Sequence, residues 1–388
     1  MPHQFSPFKT THKQPGFFLL TLGAIIILAT TYYLSKSYLP NLSPREDNYV
    51  NVYNWYGVIP AELLKEFEDE TGIKVRYDLF DNNEIVEAKL FSGNSGYDVI
   101  FPSASPYVVR HIEAGVYQRI NRDLIPNLKY VDARVNEKMR FADPGLDHAI
   151  AYYWGTFGFI YVEEEILKRL PDAPVDSYRM LFDPEVVSKF ADCGVTLLDE
   201  AVDVYPPMLT YLGKDPRSDS PQDLALAQDH LLKIRPYIKR FSSMRFMNEV
   251  VSGESCLAQA WSGEAQAAQE RADEVGRKVH IRYTVPQEGG TMWIDAMVIP
   301  KGAPHPKNAH KFINFLLRPD VSAKISNTTH IAIANTAAIE FVEEDIINDP
   351  TIYPPSELLS RLELDRPQAV DYERKRTRYW TQMRVGKN

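Results

Sequence analysis

The sequence predicts an α/β protein of two lobes, preceded by one membrane-crossing helix, and three observations carry that prediction. At 388 residues the chain exceeds the size at which one hydrophobic core keeps growing, so two domains and a short appendage are expected. From residue 49 onward, short apolar strand patterns alternate with helical patterns, the signature of βα units and a mainly parallel sheet. Near the start, Gly16 to Leu34 is an uncharged apolar run of the length a helix needs to cross a bilayer.

That run comes first in the chain. Lys9 and Lys13 precede it, so residues 1–15 stay cytoplasmic and everything after Lys36 is exported. Ala29-Thr30-Thr31-Tyr32 fits a signal-peptidase site poorly, which favours an uncleaved anchor over residues 16–36. Cleavage would instead leave the body free in the periplasm. Cys193 and Cys256 are the only cysteines and lie far from this segment, which excludes a lipid-modified anchor. Residues 37–48, with two prolines and no periodicity, read as a linker.

The folded body follows. Val50 to Tyr53 reads as a strand, and Pro60 to Thr71 as a helix with Leu63, Leu64 and Phe67 on one face, closed by Gly72. Ile73 to Phe80 is the next strand, Asn83 to Ser92 a helix, Tyr97 to Phe101 a strand and Pro106 to Ala114 a helix. The aromatic, β-rich stretch 149–162 is a crossing between lobes. A second α/β series includes helices at Gln222 to Ile234 and Phe246 to Ser252, and strands at Cys256 to Trp261, Lys278 to Val285 and Trp293 to Ile299. A helix at Lys307 to Leu317 comes next.

Composition narrows the function classes. Hydrophobic residues at 44% and charged residues at 24% are those of a globular protein. A net charge of −9 argues against a nucleic-acid binder; it suits a cationic ligand and equally suits simple solubility. The basic, aromatic stretch Tyr372 to Arg384 therefore reads as the solvated face of a terminal helix, with no nucleic acid as partner. In an exported chain two cysteines invite a disulfide, the alternative being two buried free thiols. No dinucleotide fingerprint, phosphate-binding loop, H-E-x-x-H or G-x-S-x-G occurs, so the chain offers no enzyme signature and calls for no cofactor. His305 and His310 do not share a helical face as metal ligands, and they read as surface positions.

Four short signatures stand out: Tyr53-Asn54-Trp55, Phe101-Pro102-Ser103-Ala104-Ser105, Ala260-Trp261-Ser262-Gly263-Glu264 and Trp293-Ile294-Asp295. They fall at the carboxyl ends of expected strands, where open α/β sheets place their ligand crevice. With Glu70-Thr71-Gly72-Ile73-Lys74-Val75 and Leu317-Arg318-Pro319-Asp320-Val321, and in this order over residues 49–386, the chain resembles the bacterial periplasmic putrescine- and spermidine-binding proteins. The resemblance implies a type II periplasmic binding fold, two lobes with a ligand cleft between them and more than one crossing of the chain. The lobes are placed at 49–152 with 276–325, and at 153–275 with 326–388. It also implies a Cys193–Cys256 disulfide, a polyamine ligand and an ABC permease as membrane partner; the apolar run 16–34 is expected to hold the protein, taken as a monomer, at the inner membrane.

A polyamine is a methylene chain punctuated by ammonium groups, so its site needs aromatic walls and carboxylates. The resemblance assigns Trp55, Trp261 and Trp293 as walls, Asp295, Glu264 and Asp203 as ammonium partners, and Ser103 as a polar contact. Taken singly the tryptophans would be core residues. Acids beside them change that reading, because a buried acid needs a partner. Asp203 has Asp199 and Glu200 nearby, any of which can be solvated, and Ser105 competes with Ser103 for the contact or as a helix cap. Two departures stand out: Gly57 replaces an acid of the family, and Ile331 an aromatic. Tyr56 is expected to compensate through its ring and hydroxyl. The rival readings are an anchored receptor for another amino or guanidino compound, a regulator that binds a protein partner, and an enzyme using Asp203, Glu264 or Asp295 as acid and base.

Overall fold

The first strand, β1 (Tyr49–Trp55), buries Val50, Val52, Tyr53 and Asn54 in succession, which fits a strand covered on both faces. It belongs to a computed structural model that describes residues 48–385. The expected cytoplasmic segment, the anchor at 16–36 and the linker up to residue 47 lie outside the described residues. Among the described residues no helix is long and apolar enough to cross a membrane.

Helix α1 (Ala61–Thr71) turns Leu63 and Phe67, four residues apart, into the core. It ends at Gly72, whose φ of 69° is a left-handed conformation that only glycine adopts freely. Strand β2 (Lys74–Phe80) forms a largely exposed edge beside β1. Helix α2 (Asn83–Phe91) is capped by the Asn82 side chain, which accepts from the Ile85 N–H at 3.0 Å. Strand β3 is only Val99–Ile100, shorter than the expected Tyr97 to Phe101. The buried Asp98 carboxylate, just before it, is committed to the backbone N–H of Asn51 at 2.7 Å and to His305 Nδ1 at 2.9 Å. After β3, a wide helical turn over Ala104–Val108 precedes a short helix, Val109–Glu113, so the helix expected from Pro106 starts late.

The centre of the molecule is the fourteen-residue β4 (Ala149–Val162). Beyond it come β5 (Val195–Leu197), helix α3 (Ala201–Tyr211), helix α4 (Pro221–Ile234), β6 (Arg240–Phe241) and helix α5 (Phe246–Ser252). Then follow β7 (Leu257–Trp261), helix α6 (Glu264–Glu274), β8 (Ile281–Thr284) and β9 (Gly290–Val298). The chain closes with helices α7 (Pro306–Leu316) and α8 (Pro319–Thr329), β10 (Ala332–Ile333), β11 (Leu362–Leu364) and helix α9 (Val370–Val385). The strand order is β2-β1-β3-β9-β4-β7-β5-β6, with β8 and β10 also on β4 and β11 on β9. The sheet is mixed, not mainly parallel as the βα alternation suggested. Every partner of β4 runs antiparallel to it, because β4 is reached by long connections that βα units do not govern.

The first half of β4 pairs with β9 and the second half with β7 and β8. The burial follows suit. One apolar core collects Val50 to Trp154 and Met292 to Leu364, while two others, holding Phe159 to Tyr283, cover the second half, and α9 packs into one of these. The chain passes between them within β4, between β8 and β9, and between β11 and α9. Residues 332–364 thus pack in the first core, and Ile281 and Tyr283 in the third. Cys193 and Cys256 form a disulfide with their Cα atoms 5.5 Å apart, at the entries of the neighbouring parallel strands β5 and β7.

Two surface expectations do not hold. His305 and His310 are buried at 9% and 4% exposure, and His310 Nε2 accepts from the Asn121 N–H at 3.0 Å. Helix α9 is not merely solvated, since Tyr372, Arg376, Trp380 and Met383 form a buried stripe at helical spacing.

Candidate functional site

Trp293 and Asp295 lie in the middle of β9, not at a strand end, and their spacing of two puts both on one face. Across the ladder Gly155 pairs with Trp293, and Tyr153 with Asp295. A bulge in β4 between Ala151 and Tyr153 re-aims Tyr153. Its ring meets Trp293 nearly edge-on at 5.8 Å. Gly155 has to lack a side chain, because a Cβ there would overlap Trp293 Cζ2 and Ser262 Oγ.

On the other edge of β9, Ser103 bridges to Asp295, and its hydroxyl donates to Asp295 Oδ1 at 2.6 Å. Asn83, the first residue of α2, holds that serine. Its Nδ2 donates to Ser103 Oγ at 3.1 Å, and its Oδ1 accepts from the Ser103 N–H at 3.1 Å. The hydroxyl of Ser105 is buried with no hydrogen-bond partner in the protein. Burial pushes the Asp295 carboxyl up to about 7, while the Ser103 hydrogen bond and the neighbouring Tyr153 hydroxyl and Trp55 indole favour its charge. Neither of those last two groups closes a full hydrogen bond, and Tyr153 Oη, Trp55 Nε1 and Trp293 Nε1 are all buried without a partner. Trp55 itself ends β1 and packs against Phe80 at 4.4 Å. Tyr56 stands 83% exposed in the next turn, outside this group.

Trp261 ends β7 opposite Phe157 and packs against Phe246 at 5.8 Å. The following Ser262 is locked to β4, accepting from the Thr156 N–H at 3.0 Å and donating its own N–H to Thr156 O at 3.0 Å. Gly263, at φ 90°, leaves room for His330 O and Ile331 Cγ1, so the Ile331 departure sits against the loop that delivers Glu264. Glu264 opens α6, and burial pushes its carboxyl up to about 7, with Arg271 opposing.

Asp203 lies in the first turn of α3 at 8% exposure, and Gln259 Nε2 from β7 donates to its backbone carbonyl at 2.6 Å. Burial pushes its carboxyl far up; Glu200, Asp365 and Glu84 push it further, and Arg376 opposes them. Burial likewise takes Asp365 up to about 6, against Arg376, and its Oδ1 has no partner. Glu84 accepts from the Tyr107 hydroxyl. Sequence reading had Glu200 only as a competitor of Asp203 and missed Glu84, Asp365, Asn83 and Tyr153. Glu84 and Asn83 gave a weak signal by opening a helix that follows a strand. Nothing in the sequence ties Asp365 to Asp203, 162 positions earlier.

The arrangement therefore combines indole faces, buried acids and unpartnered polar atoms, which together suit an organic cation with both apolar and charged parts. Among the described residues no three acids, histidines or cysteines are placed to hold a metal. Two surface hollows, of about 510 Å³ beside Asp172 and Arg179 and about 270 Å³ beside Trp154 and Tyr353, lie apart from the site acids.

Comparison with known proteins places the chain. Residues 62–354 match the family described as bacterial extracellular solute-binding protein. The chain is 39% identical over 343 residues to the putrescine-binding periplasmic protein SpuD of Pseudomonas aeruginosa, covering 88% of this chain and 93% of that relative. It is 38% identical to the putrescine-binding periplasmic protein PotF of Escherichia coli, with coverage of 88% and 93%. Among solved structures, the spermidine/putrescine ABC transporter substrate-binding protein PotD of Streptococcus pneumoniae matches with a TM-score of 0.77 at 27% identity, over 88% of this chain and all of that one. These are binding proteins of transport systems, not enzymes. The chain belongs to the bacterial extracellular solute-binding protein family.

Proposed function

We propose that the protein captures a polyamine outside the cytoplasm and delivers it to an ABC importer, with no bond made or broken. The observation that carries this reading is the convergence of Asp295, with its carboxyl pushed up to about 7, on the Trp55, Tyr153 and Trp293 rings, whose polar atoms lack protein partners. An ammonium beside Asp295 would restore the charge that burial penalises, and methylenes would lie against the indoles. The curated relatives point the same way: SpuD and PotF are named for putrescine.

In this reading the cleft runs between a lobe of residues 49–156 with 290–364 and a lobe of residues 157–285 with 370–385. Closure brings Asp203, Trp261 and Glu264 of the second onto Trp55, Ser103, Trp293 and Asp295 of the first. The acids gathered around Asp203 favour a ligand with a second cationic nitrogen at that end, which both putrescine and spermidine supply. The apolar run 16–34 would hold the capture site beside its permease at the inner membrane. Because Gly57 and Ile331 depart from the family pattern, a guanidino compound such as agmatine is the second reading.

Isothermal titration of the purified protein with putrescine, cadaverine, spermidine and agmatine tests this. Micromolar or tighter one-site binding of an amine is expected. Silence from all four would move the function to another solute or to a protein partner.

A further inference from the structure

Asn83 opens helix α2 just after the Asn82 cap, and it is 8% exposed. A buried carboxamide is costly unless both of its ends find partners. Here one residue supplies both: Oδ1 accepts from the Ser103 N–H at 3.1 Å, and Nδ2 donates to Ser103 Oγ at 3.1 Å. The pairing also settles which way round the amide sits. A backbone N–H can only donate, so the atom that meets it is the oxygen, and the nitrogen is left to face the hydroxyl. The next residue, Glu84, accepts from the Tyr107 hydroxyl, so the start of α2 holds Ser103 just before the wide turn over Ala104–Val108 and Tyr107 within it.

A serine hydroxyl has one proton and two lone pairs. The Asn83 amide donates into one lone pair, so the proton cannot point towards Asn83. It points instead to Asp295 Oδ1, 2.6 Å away. Ser103 thus has its only proton committed to the carboxylate, and one lone pair is left, which accepts and cannot donate. A group that presents N–H bonds, such as an ammonium, fits that lone pair; a carbonyl or carboxylate oxygen does not. The groups facing Asp295 are Ser103, Tyr153 from β4 and Trp55 from β1, none of them charged, and of these Ser103 does most to favour the carboxylate against burial. Without Asn83 the hydroxyl is free to turn and to donate elsewhere, which leaves a buried oxygen of Asp295 unpaired.

We propose that Asn83 is a positioning residue for amine capture: it fixes Ser103 as a donor to Asp295, so that the empty site presents a held carboxylate and a hydroxyl oxygen that only accepts. The inference rests on the amine-capture reading and adds to it a residue that acts through Ser103 without touching ligand.

The test is a double-mutant cycle read by titration calorimetry with putrescine and spermidine between pH 6 and 8. Ser103→Ala is expected to weaken binding by about tenfold, as loss of a hydrogen bond to a charged group does, and Asn83→Ala by about three- to tenfold. Because Asn83 acts only through Ser103, the double variant should lie within about twofold of Ser103→Ala. Asn83→Ala should also move the pH at which affinity begins to fall upward, since Asp295 loses a committed donor. Asn83→Asp keeps the size of the side chain and the oxygen for the Ser103 N–H but replaces the donor by an acceptor, which draws the hydroxyl proton away from Asp295. It should weaken binding of a cation even though it adds a negative charge. Should Asn83→Ala not fold, Asn83→Asp in the Ser103→Ala background decides: with no hydroxyl to turn, it should no longer weaken binding. A merely structural asparagine would add its loss to that of Ser103→Ala and leave the pH profile in place. That additivity, or tighter binding by Asn83→Asp, would overturn the role of Asn83 alone where the unaltered protein binds an amine. An unaltered protein that binds neither amine would overturn the reading beneath it.

Discussion

Replacing Asp295 by asparagine should weaken amine binding while making the empty protein more stable, and the two effects can be worked out separately. Asparagine keeps the size of the side chain and still accepts the hydrogen bond that Ser103 donates to Asp295 Oδ1. What it loses is a charged partner for an ammonium, worth about 1.5 to 3 kcal/mol, or roughly a ten- to hundredfold loss of affinity. The stability term has the opposite sign. Burial raises the Asp295 carboxyl from 3.8 to about 7, so above that range the folded protein carries a charge it holds less readily than the unfolded chain. At ~1.36 kcal/mol per pK unit the cost at pH 8 is about 4 kcal/mol, and asparagine does not pay it. At pH 5 the folded carboxyl is protonated and the difference shrinks by more than half. Calorimetric titration and thermal denaturation of one preparation, at pH 8 and pH 5, read both quantities. Affinity within threefold of the original, or a binding loss that travels with loss of fold, would refute the placement of Asp295 in the site.

The remaining expectations concern pH, packing and covalent support. Asp295 and Glu264 both sit near 7 when empty and must ionise to meet a cation, so amine affinity should fall by about tenfold per pH unit for each carboxylate as pH drops below 7. A flat titration profile from pH 8 to 5 would contradict this. The same two groups bind more protons folded than unfolded between about pH 4 and 7, so their contribution to the stability of the ligand-free protein declines as pH rises through that window and then levels off. Chemical denaturation at several pH values measures it. Gly155→Ala should push Trp293 and Ser262 aside, costing about 1 to 3 kcal/mol of stability together with amine affinity, and unchanged tryptophan fluorescence with unchanged binding would show that the strand tolerates a methyl there. Reducing the Cys193–Cys256 bond, which spans 63 positions, should lower stability by on the order of 4 kcal/mol, read as a drop in the denaturation midpoint with reductant.

How much of this was legible in the sequence can be judged element by element. Helix α1, with Leu63 and Phe67 one turn apart and Gly72 after it, declared itself because helix periodicity and capping are local properties. Strand β4 declared itself as β-rich from its aromatic and β-branched residues. Its pairing did not, because antiparallel registry with β9 and β7 depends on residues 96 or more positions away. The site divides along the same line. Trp55, Trp261, Trp293 and Asp295 could be nominated from sequence because each sits in a short motif that resembles those of a known family. By itself, the sequence determined the α/β alternation, the family and the aromatic and acidic chemistry of the proposed site, all of which local pattern encodes. Only the tertiary structure decided that Asn83 holds Ser103, that Tyr153 faces Asp295, and that Glu84, Asp365 and Arg376 surround Asp203, because a charge is felt through space and the chain that brings it there leaves no mark at the position that feels it.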